Sequence, residues 1–300
     1  MLKDPSFKIP ILFLTYKRPA ISKKVFNEIK KVRPYTLYLS SDGPKNNKEA
    51  AIISKLREDL LSQIDWKCSI TTIFNDENLG CRKAVSSAIN KLFEKEDMGI
   101  VLEDDCLPGK HFFNYCEELL IRYEHDERIY SISGFNQQNI WKSEECDYFF
   151  SKLGNCWGWA TWKRCWREYD VDIPDFHIFD AQNGFINSLG KELGEIKRNM
   201  IFEGAVQKKS DTWAMQWGYL RHQKNGLTCI PSRSLIKNIG FGDDATHTFR
   251  DDFQNVERNT ASFPLRINNY FVPDFEYDSL MFQKRGILER VFNRIKRSIQ

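Results

Sequence analysis

Glu103, Asp104 and Asp105 stand in a row at the end of an apolar run, in the sequence VLEDDCLP. Adjacent carboxylates repel one another and lose hydration when a buried strand delivers them to its end, so the grouping calls for a cation. A hard divalent ion suits it, because such ions take oxygen ligands and bridge to substrate phosphates. Asp105, at the tip, is placed as the direct metal ligand. Asp104 is placed to hold a ribose hydroxyl or a metal-bound water, and Glu103 to orient the turn. An isolated acidic triplet is most often a solvated loop; the preceding Ile100, Val101 and Leu102 instead put this one at a strand end.

Three further polar stretches end apolar runs. LTYKRP supplies the Thr15 hydroxyl, the Tyr16 ring and Arg18, which can face a base or a phosphate. SSDGPK supplies Asp42, an acceptor for a uracil N–H or a ribose hydroxyl. NDENLGCRKAV places Asn78, Gly80 and Arg82 at the mouth of a helix, where close backbone approach and positive charge suit a diphosphate. Each is weak alone, since Asp-Gly-Pro is commonly a turn and Asn-x-x-Gly commonly opens a helix. Their shared location points to a nucleotide.

The elements that must position them alternate. IPILFLT, YTLYLSS, CSITTIF and MGIVLE read as strands, separated by helices over Ile21 to Val32, Asn47 to Ser62 and Cys81 to Phe93. That order predicts parallel strands joined by crossover helices, a doubly wound α/β sheet that binds ligands outside its carboxyl ends. After Pro108 come a helix over His111 to His125, a strand IYSISGF and the tryptophan-rich NCWGWATWKRCW. Helices over Ile186 to Gln207 and Asp211 to Lys224, a strand LTCIP and an irregular cover over Phe249 to Asp278 complete the reading.

The succession TYKRP…SDG…NLGCRKAV…VLEDDCLP resembles the donor half of GT-A-fold, nucleotide-sugar-dependent glycosyltransferases. It is similar to family-2-like enzymes and closer still to the N-acetylglucosaminyltransferase I group, with hemolysin-like bacterial proteins among the similar chains. WGWATWKRCW, SDTWAMQW and FGDDATHT look like that group's acceptor-loop helix, its base-bearing element and its later loop, so the resemblance runs from about Ile9 to Thr248. It implies a mostly parallel GT-A sheet flanked by helices, a UDP-sugar donor and Mn²⁺ at Asp105. It also implies inverting transfer to a glycan or glycolipid hydroxyl, with Asp211 as base. Thr212 departs from the pattern, standing where that group has a second aspartate.

Read from the residues, Asp211 beside Trp213 and Trp217 suits a general base, while S-D-T-W equally suits a helix N-cap. Trp157 and Trp159 flank Gly158, where rings can stack on a sugar; with Trp213 they are the expected acceptor contacts, and Trp162 and Trp166 the expected core. His247, in the glycine-rich loop, is placed to complete the metal shell or bind the diphosphate. Asp243 and Asp244 of that loop are the fallback for the base.

The bulk properties bound these readings. A net charge of +3 gives no ground for nucleic-acid binding. The charge is uneven, because residues 284–300 hold six basic groups against Glu289. That stretch, with apolar residues at three-and-four spacing, is expected to be a basic amphipathic helix over 283–300 able to lie on a membrane surface. One domain is expected over 1–282, with a nucleotide-sugar half at about 8–108 and an acceptor half at about 109–282. The eight cysteines show no Cys-x-x-Cys spacing. With no signal-like N-terminal run, they read as reduced cytoplasmic thiols. Clustered acids also fit a metal-dependent phosphoesterase, and opposed carboxylates with tryptophans fit a glycoside hydrolase or a carbohydrate-binding protein. None of these accounts for the nucleotide-type strand ends.

Overall fold

The computed structural model describes residues 2–241 and 256–281. His247, Asp243, Asp244 and the basic segment over 283–300 lie outside the described residues.

Four strands form one side of the sheet, with β1 (Ile11–Thr15), β2 (Thr36–Ser41) and β4 (Met98–Glu103) buried and the edge strand β3 (Ser69–Phe74) partly exposed. The apolar runs of β1 and β4 are continuous because both faces of these central strands are covered, as a parallel sheet requires. The crossover helices are α1 (Pro19–Val32), α2 (Asn47–Ser62) and α3 (Gly80–Lys95). Pro19 opens α1 at a position where its missing N–H costs nothing, and Asn46 caps α2 by accepting from the Glu49 N–H at 3.1 Å. Helix α3 has no such cap of its own, since Leu79 stands at its N-cap.

The second half adds β5 (Cys106–Pro108), α4 (Phe112–Arg122), β6 (Ile129–Ser133), β7 (Tyr148–Ser151) and β8 (Trp159–Trp162). After the helical turn α5 (Lys163–Trp166) come α6 (Phe176–Ala181), α7 (Gly184–Leu189) and α8 (Lys191–Ile201). A π-helical turn (Phe202–Val206), α9 (Ala214–Gln223), β9 (Leu227–Pro231) and β10 (Ile236–Asn238) follow. The eight-stranded sheet has the order β3-β2-β1-β4-β8-β6-β9-β7, and β5 pairs with β10 in a separate ribbon. The architecture is mixed α/β, with a mostly parallel central sheet flanked by helices.

Strand order locates the site. From β1 the chain steps outward to β2 and β3, then returns to place β4 on the other side of β1. The crossovers therefore diverge between β1 and β4, leaving a crevice at their carboxyl ends. Register keeps those ends level, with Thr15 opposite Ser41 and Leu14 opposite Glu103.

Two expectations change in the second half. The helix expected over Ile186 to Gln207 is interrupted at Gly190, which adopts φ +78°, and ends in the π-helical turn. The tryptophan-rich stretch makes a strand before its helical turn. Strand β8 runs antiparallel to β4 with Trp159 opposite Val101, so Trp159 enters the core. It stacks on Trp213 at 5.3 Å and approaches Trp217 at 5.5 Å, while Trp166 lies flat on Tyr169 at 4.2 Å. Trp162 and Trp166 are buried, as expected. Among the described residues, no helix is long and apolar enough to cross a membrane.

Candidate active site

The crevice between β1 and β4 is a cleft of about 350 Å³. It gathers Thr15, Tyr16 and Arg18 from the first strand end and Asp42 from the second. Asn78 and Gly80 enter from the loop before α3, the acidic triplet from β4, and Trp157 and Asp211 from the second half. Leu14, Ala84 and Val85 form an apolar shelf.

At the acidic turn the cation that the sequence calls for is present as Arg18. Its guanidinium bonds Asp104 and reaches Asp105 Oδ2 at 3.1 Å, so it is turned toward the triplet and not toward a base or phosphate. Burial works against this guanidinium, but Asp104 and Asp105 outweigh it and hold the proton more tightly. Burial, together with the mutual repulsion of the triplet, raises Glu103 above the usual carboxylate range. Asp104 is also raised by burial, with Arg18 opposing. The turn is anchored from behind by β10. Ile239 N–H donates to the Asp105 carbonyl at 2.8 Å, and Gly240 lies so close that a Cβ there would come within 2.3 Å of Asp105 Oδ2.

The mouth of α3 is held by two carboxylates. Asp42 accepts from the backbone N–H groups of Gly43, Leu79 and Gly80 and from the amides of Asn75 and Asn78, at 2.9–3.1 Å. Five donors exceed the four lone-pair sites of a carboxylate, so Asp42 is committed to the protein and not to a uracil or ribose. Asp211 accepts from Cys81 N–H at 2.8 Å and Arg82 N–H at 3.1 Å. The N–H groups expected to cradle a diphosphate thus face protein carboxylates. Arg82 contributes its backbone there, and its guanidinium does not line the cleft. Asn78 is likewise spent on Asp42, Tyr16 and the Gly43 carbonyl.

Asp211 does not cap its own helix. The N-cap of α9 is Trp213 without a side-chain bond, and the nearby Ala214 N–H is taken by Thr212 Oγ1 at 3.2 Å. The Asp211 carboxylate instead turns to α3 and the cleft.

The tryptophans divide at Gly158. Its φ of +61° reverses the chain, and a Cβ there would meet Ile236 at 2.4 Å, so glycine is required. Trp157 consequently lines the cleft, whereas Trp159 and Trp213 are 0% and 2% exposed. Neither of those two offers a ring face to an acceptor, which corrects the expectation for both.

Three groups escape the sequence reading. Lys45 lines the cleft with no acidic partner among the described residues. It sits in the quoted SSDGPK turn, so its strand-end position was the available signal. Glu49 accepts from Tyr16 Oη at 2.7 Å and Lys17 Nζ at 2.8 Å, fixing the loop after β1. Lys17, Tyr16 and the Lys45 N–H lower it to about 2. Cys81 faces the cleft too, and burial among carboxylates raises its thiol.

No protein-family model matches the sequence, and no curated protein does. Among solved structures, the chain is similar to a cytidylyltransferase from Leptospira borgpetersenii serovar Hardjo-bovis, at 9% identity and TM-score 0.34. That match covers 55% of this chain and 64% of the cytidylyltransferase, less than two thirds of its length. It is also similar to a 4-diphosphocytidyl-2C-methyl-D-erythritol synthase from Anaerococcus prevotii, at 9% identity and TM-score 0.34 over 59% and 83% of the two chains. A third is an apo UDP-glucose pyrophosphorylase, at 10% identity and TM-score 0.36 over 79% and 93%. Each likeness concerns the fold alone.

Proposed function

We propose that the protein is a metal-dependent glycosyltransferase that moves a sugar from a nucleotide diphosphate, UDP favoured, to a hydroxyl of a glycan or glycolipid. The observation that carries this reading is the charge of the cleft. Its lining holds five carboxyl groups, of which Glu103 is pushed toward its protonated form, against the two cations Arg18 and Lys45. The helix N-terminus that would otherwise receive phosphate is filled by Asp42 and Asp211. A diphosphate entering such a cleft needs a divalent cation with it.

Among the described residues, no group of three or more His, Cys, Asp or Glu side chains is arranged to enclose a metal. The fit is to the other mode, in which one carboxylate and the substrate phosphates share Mn²⁺ or Mg²⁺. Asp105 supplies that carboxylate, with Gly240 leaving room against it. When bound, the ion would neutralise the departing diphosphate.

The chain's own residues do the remainder. Arg18 offsets part of the negative charge of the triplet and fixes the turn through its bonds to Asp104 and Asp105. The shelf of Leu14, Ala84 and Val85 takes the flat faces of base and ribose, and Trp157, which also lines the cleft, takes the sugar ring. Asp211, exposed and anchored at the cleft, accepts the proton of the attacking hydroxyl, as an inverting reaction requires.

The test is calorimetry and product analysis on the whole protein. UDP-sugars should bind with Mn²⁺ and not without it, and should be hydrolysed slowly or transferred. Metal-indifferent glycan cleavage would favour a hydrolase. Pyrophosphate release from a nucleoside triphosphate and a sugar phosphate would favour nucleotidyl transfer.

A further inference from the structure

A second concavity, of about 810 Å³, lies along α1. Its walls hold the cations Lys3, Lys24, Lys30, Lys31, Arg33 and Arg258, and Glu28 is the only acid among the lining residues. Two carboxylates serve four of these cations. Glu28 pairs with Lys31 at 2.8 Å and Arg258 at 3.5 Å, and Asp65 pairs with Lys3 at 2.9 Å and Lys30 at 3.5 Å. Lys24 has no acidic partner among the described residues, and Arg33 has only Asp4, beyond ion-pair distance. Cations in the last turn of a helix offset its dipole, which accounts for Lys30 and Lys31. It does not account for Lys3, Lys24 or Arg258, which come from other positions and face the same depression.

We infer that this groove binds an acidic glycan chain, one bearing repeated carboxylate or phosphate groups, and that such a chain is the acceptor class. The second part rests on the proposed sugar transfer. Composition separates the glycan from a membrane, because Leu107 is the only hydrophobic side chain in the lining and a membrane-surface element needs an apolar face to insert. Single-stranded nucleic acid would want stacking platforms, and none of the lining residues is aromatic. From Lys24 to Arg33 the helix advances about 14 Å, room for several ionic contacts along one strand-like molecule. Position links groove to cleft. Leu107 lies on β5, two residues beyond Asp105 of the acidic turn, at most about 7 Å of backbone. A polymer in the groove therefore has its end near the acidic turn.

The test uses a short fluorescent oligogalacturonate, read by anisotropy against the double variant Lys24→Glu, Lys31→Glu. Both residues are on α1 outside the cleft, so UDP-sugar binding with Mn²⁺ should be unchanged. Oligogalacturonate affinity should fall by roughly tenfold or more, and the wild-type affinity should weaken steeply with salt. Equal affinity in the variant, or equal binding of a neutral maltooligosaccharide, overturns the groove. Tighter binding of anionic vesicles or of an oligonucleotide overturns the glycan assignment. If oligogalacturonate binds as expected but UDP-sugars do not bind the cleft, the groove stands and the sugar-transfer reading fails.

Discussion

Asp211 closes the N-terminus of a helix far earlier in the chain, accepting through Oδ2 from the N–H of Cys81, 130 residues before it, at 2.8 Å. Its other oxygen takes the Arg82 N–H, so one carboxylate supplies the cap that α3 lacks locally. The same side chain therefore holds the two halves of the cleft together and presents the proposed base.

Asp211→Asn tests both roles. An amide keeps one acceptor oxygen and turns an NH₂ toward the other N–H, which costs about 1–2 kcal/mol as a weakened, uncharged cap. The melting temperature should fall by a few degrees. Mn²⁺-dependent UDP-sugar binding should persist, and transfer at a temperature where the variant is folded should drop by ~10²-fold or more. Transfer close to the wild-type rate would leave Asp211 as an anchor alone.

Gly80→Ala strikes the same junction from the other side. Gly80 adopts φ +80°, and a Cβ would stand 2.6 Å from Asp211 Oδ2. Left-handed backbone with a side chain costs on the order of 1–3 kcal/mol, and the carboxylate must also move. We expect a larger loss of thermal stability than for Asp211→Asn, with transfer impaired as well. A neutral result in both assays would show that the junction tolerates displacement.

Asp105→Asn should abolish the metal dependence of nucleotide-sugar binding while the fold survives. Arg18 keeps Asp104 as partner, and removing one charge from three relieves repulsion. Calorimetry with and without Mn²⁺ decides it, and an unchanged metal-dependent affinity would falsify the assignment.

The two neighbouring tryptophans should behave in opposite ways. Trp159→Ala empties a buried stack and should cost about 3–5 kcal/mol. Trp157→Ala removes a cleft wall and should chiefly raise the acceptor KM. Comparable destabilisation by both, measured by denaturant unfolding, would contradict this division.

Asp278 sets a pH dependence. It is buried, accepting from Ser151 Oγ and from the Lys152 N–H at 3.0 Å, and burial raises it to about 6 despite those bonds. A carboxyl raised on folding holds its proton longer in the native state. Its contribution is therefore most favourable below about pH 4 and is lost as pH rises through about 6. Other carboxyls titrate in the same range, so the difference between wild type and Asp278→Asn isolates it. The wild type should lose stability relative to the variant across that window; parallel curves would remove Asp278 from the account.

Much of the cleft was legible in the residues themselves. Buried parallel strands need unbroken apolar runs, so IPILFLT, YTLYLSS and MGIVLE announce their own ends, and polar residues just beyond them must share one edge of the sheet. That reasoning places Thr15, Tyr16, Asp42 and the acidic triplet together. It does not say which way each side chain turns. Arg18 reads as a phosphate contact and Asp42 as a nucleoside contact until the packing shows that each is occupied by partners inside the protein. Trp157 and Trp159 look equivalent until Gly158 sends one to the cleft and the other to the core. Asp211 looks like a cap for the helix that follows it, and a capping side chain has the same local sequence whichever helix it serves. Only the docking of the second half onto the first supplies α3 as the nearer set of unpaired N–H groups, because contacts across 130 residues depend on how whole elements pack and not on spacing along the chain.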